Sequence, residues 1–499
     1  MNRIITLLYI TFLGSINLLK AEQLLGVNIS YRSMGSNKFA VTYKVYTETI
    51  VNGKLDTAVL KPFTFKVISG ASYVANYPKL FKTDSVNVGC INLKKMNSFY
   101  IYVDTIDLNL PLYASIKSSG FCRTYFACKY PNRYTGLKNI PNEAYFTYAF
   151  INTCNNANNT SAETDYYPFR FACCNQPFYQ NYYMSDTTDF DSLSYKTTQA
   201  LRELDTKITY SSGYSLTEPI DVYWPAGYDK LKGASPKTIP PIGFYLDSET
   251  GDMLLTPIIC NSSYSLTTEI IEYKKIGGQY QETGGFLNDF VFKVDSCPNN
   301  NPPLLHGPYL FEINCCQQIC FTIVSDDKQF IPPPPNKPSQ PDTLSLTWNR
   351  GIAGATFTTV DPKARLKAGK FCWTPILSQV SAIPYTFTVT ATDNACPKNE
   401  STTRSYSIKV KAPENSIMGY HSKNISISPN PSSSQISITS YNFKFNEVIL
   451  FDITGKQLEL WRFESTENFE KDLSHLTPGI YLIKCRNASE VFNLKWIYK

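Results

Sequence analysis

The apolar residues of this chain recur at every second position, in runs of strand length. Phe39-x-Val41-x-Tyr43-x-Val45 alternates strictly, and Val291-x-Lys293-x-Asp295 and Tyr385-x-Phe387-x-Val389 repeat the period. Successive side chains of a strand face opposite ways, so a two-residue period marks strands with one buried face. Helical spacing never extends beyond about ten residues, and Ser192 to Asp205 comes nearest to it. Turn residues punctuate the runs at intervals of roughly 8–12 residues, a spacing that suggests β-sandwiches. The expected fold class is all-β.

Composition narrows the function classes. The 499 residues leave room for several domains of roughly 100–200 residues each. Hydrophobic residues reach 43%, enough for packed cores, and the composition excludes disorder, collagen and a coiled coil. The formal net charge of +6 is small and spread along the chain, which excludes a nucleic-acid partner, since that needs a basic patch or stripe. Residues 1–21 combine Arg3, an apolar run from Ile4 to Phe12 and a small residue at Ala21, the pattern of a secretory signal peptide. Gly14, Ser15 and Asn17 interrupt the apolar stretch and leave it short of the ~20 residues of a membrane span.

Export makes disulfides chemically allowed. All 14 cysteines follow residue 21: Cys90, Cys122, Cys128, Cys154, Cys173, Cys174, Cys260, Cys297, Cys315, Cys316, Cys320, Cys372, Cys396 and Cys485. None has zinc-ligand spacing, so structural pairing is expected, with the connectivity open. The adjacent pairs Cys173-Cys174 and Cys315-Cys316 cannot easily bridge to themselves, so each cysteine is expected to reach a different partner. Polar clusters at 155–161, 298–303 and 413–424 suggest modules at 22–157, 158–297 and 298–412, a linker at 413–423 and a terminal unit at 424–499. Within the third module Pro332–Pro335, Pro338 and Pro341 form a polyproline-type insert, either an exposed loop or a partner-binding PxxP segment.

No catalytic constellation is legible. His306 lies in a Pro/Gly loop, His421 in the linker and His475 in the terminal unit, and the sequence has no Gly-x-Ser-x-Gly, His-Glu-x-x-His, P-loop or Gly-x-Gly-x-x-Gly. The expectation is a protein that is not an enzyme and carries no cofactor. A pair of glycosidase carboxylates needs no local motif, so polysaccharide binding or degradation stays as the alternative.

The terminal unit has a distinctive text: Pro429-Asn430-Pro431 near its start, a turn Asp452-Ile-Thr-Gly455-Lys456, then Leu476-x-Pro478-Gly479-Ile-Tyr481, and a basic end at Lys499. Gly455 stands where a turn needs positive φ. These residues in combination closely resemble the type A C-terminal sorting domain of proteins exported by the type IX secretion system. The resemblance implies a small β-sandwich read by the outer-membrane secretion machinery, commonly cut off when the body is released or attached to the surface. Cleavage would leave 13 cysteines in the body, so one, in the module 298–412, is expected to be free unless a bridge crosses module boundaries or links two chains.

The body strings Phe244-Tyr-Leu-Asp247-Ser-Glu-Thr250-Gly251-Asp252, Phe371-Cys372-Trp373-Thr-Pro375 and Tyr385 to Pro397 resemble the repetitive Ig/cadherin-like surface proteins that accompany gliding motility. That resemblance implies tandem Ig/cadherin-like β-sandwich domains ahead of the sorting domain and a non-catalytic adhesion role, secreted or at the outer-membrane cell surface, toward a glycan or protein ligand. The resembled repeats commonly carry an Asp-x-Asp-x-Asp-type calcium turn. Here it corresponds to Asp186, Asp189 and Asp191, three carboxylates that form either a calcium loop or a solvated turn.

Overall fold

The computed structural model describes residues 23–50, 63–70, 72–87, 95–111, 121–164, 171–182, 184–186, 188–297, 299–331, 334–335, 341–396, 398–412, 425–440, 444–487 and 491–499. The signal segment, Cys90, the linker 413–423, Pro332, Pro333 and Pro338 lie outside the described residues. No α-helix occurs among the described residues, and the chain is all-β. Ser192 to Asp205 holds the strands Ser192–Thr197 and Leu201–Glu203. The chain divides into two compact units, Met1–Lys411 and Ala412–Lys499.

One 14-stranded sheet dominates the first unit. Its main path runs Ser72–Asn76, Thr64–Ser69, Arg123–Tyr130, Tyr145–Asn152, Gln279–Asp295, Gln23–Gly35, Lys38–Ile50, Lys95–Asp107 and Lys79–Asn87. The 17-residue strand Gln279–Asp295 is its hub. Along one edge it pairs antiparallel with Ser262–Ile276, while its other edge meets Phe150 through Gly285 and Gly26 through Phe290. Strands distant in this order also touch. The Tyr31 ring lies 5.4 Å from that of Phe126, and Tyr43 lies 4.6 Å from Phe65. The sheet therefore folds back over its own face and encloses a core that runs from Leu24 to Val294. Each large apolar side chain fully buried there stabilises the unit by roughly 1.5–3 kcal/mol.

This pairing corrects the boundary expected at residues 157 and 158. Modules 22–157 and 158–297 share a sheet and a core, because the first strand and the hub strand are neighbours although some 260 residues separate Asn28 from Asn288. A two-residue period identifies a strand but carries no information about its partner.

Residues 304–411 hold two four-stranded sheets packed as a sandwich. One sheet holds Leu304–Leu305, Ile319–Asp326, Ala368–Trp373 and Thr356–Thr359; the other holds Leu310–Asn314, Ser401–Lys411, Tyr385–Thr392 and Ser345–Trp348. Phe371 and Phe387 stack between the sheets at 4.2 Å. The sandwich is fastened to the rest of its unit by polar contacts. Gln180 Nε2 donates to the Ser401 carbonyl, and the buried Asp252 carboxylate accepts from the Ser405 amide and the Arg404 guanidinium.

The second unit packs a three-stranded sheet (Ile425–Ser428, Gln435–Ser440, Asn468–Asp472) and a four-stranded one (Gln457–Thr466, Phe445–Phe451, Gly479–Arg486, Val491–Tyr498) around Trp496, Val448, Leu450 and Ile438.

Candidate functional site

Asp186, Asp189 and Asp191 lie in a tight loop ahead of the strand Ser192–Thr197. Asp186 is buried and organises that loop: its Oδ1 accepts from the amides of Thr188 and Asp189 at 3.1 and 2.8 Å, and its Oδ2 from the amide of Asp191 at 3.1 Å. Asp189 turns away and accepts from the Thr160 amide at 2.6 Å. Asp191 accepts from the Thr283 hydroxyl, and its Oδ1 sits 3.4 Å from the Lys274 ammonium.

The structure adds a fourth carboxylate, Glu272, on the long strand Ser262–Ile276. Its side chain is fully buried, with Oε1 accepting from the Ala162 amide at 2.5 Å and Oε2 from Asn159 Nδ2 at 2.7 Å. Asn159 also donates to the Tyr31 hydroxyl at 3.1 Å. Gly284 makes this room, since a Cβ there would stand 2.3 Å from Tyr31 Oη and 2.6 Å from Glu272 Oε2. Burial, reinforced by the charges of Asp186 and Asp191, pushes Glu272 up to about 8, and burial lifts Asp186 to about 6. Glu272 was not singled out from the sequence because the signal that finds it, Gly284 facing it across two strands, exists only in the folded sheet. Protein donors serve these carboxylates except at Asp191 Oδ1, which is buried without a hydrogen-bond partner and faces the Lys274 ammonium, and the cluster acts as a knot tying residues 159–162 and 186–191 onto the sheet.

The cysteines fall into two groups. Cys122–Cys154, Cys173–Cys297, Cys174–Cys260 and Cys320–Cys372 are disulfides, and Cys396 is also disulfide-bonded. The adjacent Cys173 and Cys174 reach different partners, as expected. Cys128, Cys315, Cys316 and Cys485 are free. For the first three this corrects the expectation of pairing. Cys128 is sealed in the core, where burial drives its thiol far up. Cys315 and Cys316 lie side by side, with Sγ atoms 3.0 Å apart and unbonded, and that contact lifts Cys315 to about 11.

In the terminal unit the motif residues build the fold. Asn430 acts as a strand surrogate: its Oδ1 accepts from the Ile497 amide at 2.9 Å and its Nδ2 donates to the Lys495 carbonyl at 2.6 Å. Pro429 and Pro431 flank it, and just beyond them the Ser432 carbonyl accepts from the Lys499 amide. Asp452 Oδ1 accepts from the amides of Thr454 and Lys456 at 2.9 and 3.0 Å, closing a turn in which Gly455 has φ +86. After Pro478-Gly479, Tyr481 packs 5.3 Å from Trp496 and donates its hydroxyl to the Thr477 carbonyl at 2.6 Å.

Residues 426–499 match the family described as the secretion system C-terminal sorting domain. The tail is a type IX sorting domain. It marks the chain for passage across the outer membrane to the cell surface or exterior and implies contact with the type IX machinery. No curated protein sequence matches the chain. Among solved structures the chain is similar to protocadherin gamma B2 extracellular cadherin domains 1–5 at 12% identity and TM-score 0.21, covering 90% of this chain and 75% of that one. It is also similar to the ICAM-5 D1–D4 ectodomain fragment at 9% identity and TM-score 0.18, covering 88% and 100%. A third is the Bacteroides ovatus mixed-linkage glucan utilization locus protein SGBP-B in complex with a mixed-linkage heptasaccharide, at 9% identity and TM-score 0.13, covering 68% and 67%. Likeness at these scores does not extend to the arrangement of the whole chain.

Proposed function

We propose that the body is a non-catalytic adhesion or surface-interaction module, delivered outside the cell by its sorting tail and working alongside surface motility. The observation that carries this reading is the sorting domain placed behind a disulfide-braced β body. Three groups of polar residues buried in that body serve as structural ties: the Glu272 knot, the Asp252–Arg404 contact and the Arg133–Asp289 pair. The aromatic side chains Tyr73, Tyr77 and Phe81 are each exposed, at 63%, 85% and 76%. Exposed aromatics of this size suit recognition, since they offer broad apolar contact at low entropic cost.

The same aromatics favour the second reading, polysaccharide binding with or without degradation. A panel of polysaccharides incubated with the purified body separates the two. Adhesion predicts binding without turnover, lost in Tyr77→Ala/Phe81→Ala, whereas release of oligosaccharides from any polymer overturns the non-catalytic reading. For the tail, deletion of 424–499 is expected to trap the body in the periplasm; a truncated body still found outside the cell overturns its sorting role.

A further inference from the structure

Two free cysteines stand in contact in a chain that is exported. We propose that Cys315 and Cys316 form a thiol–disulfide exchange site, which takes a small-molecule disulfide as its oxidant and closes to a bond between the two neighbouring residues.

The pair occupies the turn between the strands Leu310–Asn314 and Ile319–Asp326. Two backbone hydrogen bonds hold that turn. The Cys315 amide donates to the Lys411 carbonyl and the Cys316 amide to the Pro375 carbonyl, each at 2.8 Å. Cys315 is 2% exposed and belongs to the sandwich core, whereas Cys316 is exposed. Cys316 has φ +67, a left-handed conformation that is uncommon for a residue other than glycine. The turn thus sets one thiol at the surface with the second against it, Sγ to Sγ 3.0 Å.

The body already carries the closed bridges Cys122–Cys154, Cys173–Cys297, Cys174–Cys260 and Cys320–Cys372. Export places it where disulfides form and persist. Of the other free cysteines, Cys128 is enclosed in the core of the large sheet and Cys485 in that of the tail. Neither is open to a molecule from solution. Cys316 is, and its neighbour is in place to resolve the product.

The Cys316 thiolate attacks one sulfur of a disulfide RSSR, forms a mixed disulfide and expels RS⁻. Cys315 keeps its proton at this stage, because its contact with Cys316, with burial second, lifts it to about 11. Capping Cys316 removes that contact. Cys315 then gives its proton to the expelled RS⁻ and attacks Cys316 Sγ. The second RS⁻ leaves and takes up the proton that Cys316 had released. In sum the dithiol loses two hydrogens and two electrons, and RSSR becomes two RSH.

Closure is reversible for the reason that adjacency argues against a permanent bridge. Neighbouring Cα atoms stand about 3.8 Å apart across a trans peptide, short of the roughly 4.4–6.8 Å usual for a disulfide. The closed ring is strained and partly exposed, and such bonds are the labile ones.

The test uses the full secreted chain. Dilute reductant is applied and removed, and is expected to leave this pair open and the bridges named above intact. Oxidised glutathione in mildly alkaline buffer follows, with cysteines mapped by mass spectrometry. The parent chain is expected to release two reduced glutathiones per chain, and its peptide carrying both cysteines to become lighter by two hydrogens and resistant to alkylation. Cys315→Ser, without the resolving thiol, is expected to stop as a mixed disulfide after releasing one glutathione. Cys316→Ser is expected not to react. Where Cys315→Ser fails to fold, the release of two glutathiones by the parent decides alone. A parent chain that does not react, stops at the mixed disulfide, links to a second chain or exchanges with Cys320–Cys372 overturns the site. So does glutathionylation of Cys316→Ser, or a closed pair that resists reductant as long as the other bridges do.

Discussion

Glu272 and Glu400 are both buried glutamates pushed up to about 8, yet they stand in opposite surroundings. Around Glu272, both oxygens accept from protein donors, and Lys274 lies 3.4 Å from the neighbouring Asp191. Around Glu400, Oε1 has no partner, and neither oxygen of the adjacent Asp327 has one. Residue type and burial are alike, so what separates the two clusters is the count of donors against acceptors. The first cluster leaves one buried acceptor without a hydrogen bond, Asp191 Oδ1, and sets the Lys274 ammonium beside it; the second leaves four, on Asn300, Asp327 and Glu400, where the sheet meets the sandwich.

The largest test of this contrast is Glu272→Ala. It strands the Ala162 amide and the Asn159 side chain in a buried site, and is expected to destabilise the body by about 3 kcal/mol. Urea unfolding measures it, and an unchanged stability would break the distinction between the clusters.

Next in size is the pH response. Glu272 and Glu400 both hold protons more tightly folded than unfolded, so their contribution is complete below the ordinary value of 4.5 and is lost as the pH rises through about 8. The melting midpoint is therefore expected to fall from pH 5 to pH 8. Glu272→Gln should remove the part due to Glu272 and leave the part due to Glu400. A midpoint that rises over this range would contradict both assignments.

The smallest effect is Glu400→Gln at pH 8. Relief of repulsion from Asp393 and Asp327 is expected to stabilise the body by about 1 kcal/mol. Destabilisation would mean that Glu400 has a donor after all.

The strands themselves were legible because their signal is local. Phe39 to Val45 and Tyr385 to Val389 alternate, and both fold as strands. The sorting tail was legible through its family resemblance, and three of the residues that carry it, Asp452, Gly455 and Tyr481, act on residues a few positions away. Asn430 is a partial exception, since its partners Lys495 and Ile497 lie on the last strand and only the family pattern marks it. Three things were not legible. The shared sheet of 23–295 joins strands at opposite ends of that stretch, Cys128 is free inside the core while Cys315 and Cys316 stay unbonded side by side, and Glu272 acquires its neighbours through folding.

Alternation and turn residues, acting over a handful of positions, determined by themselves that this chain is all-β, and the motif residues of 424–499, through their family resemblance, that it carries a sorting domain for export. The tertiary structure alone decided which strands share a sheet, which cysteines pair and which buried carboxylates find donors. Those outcomes depend on contacts between residues 100 or more positions apart, such as Gln180 with Ser401 and Asn159 with Glu272, and a local pattern carries no record of them.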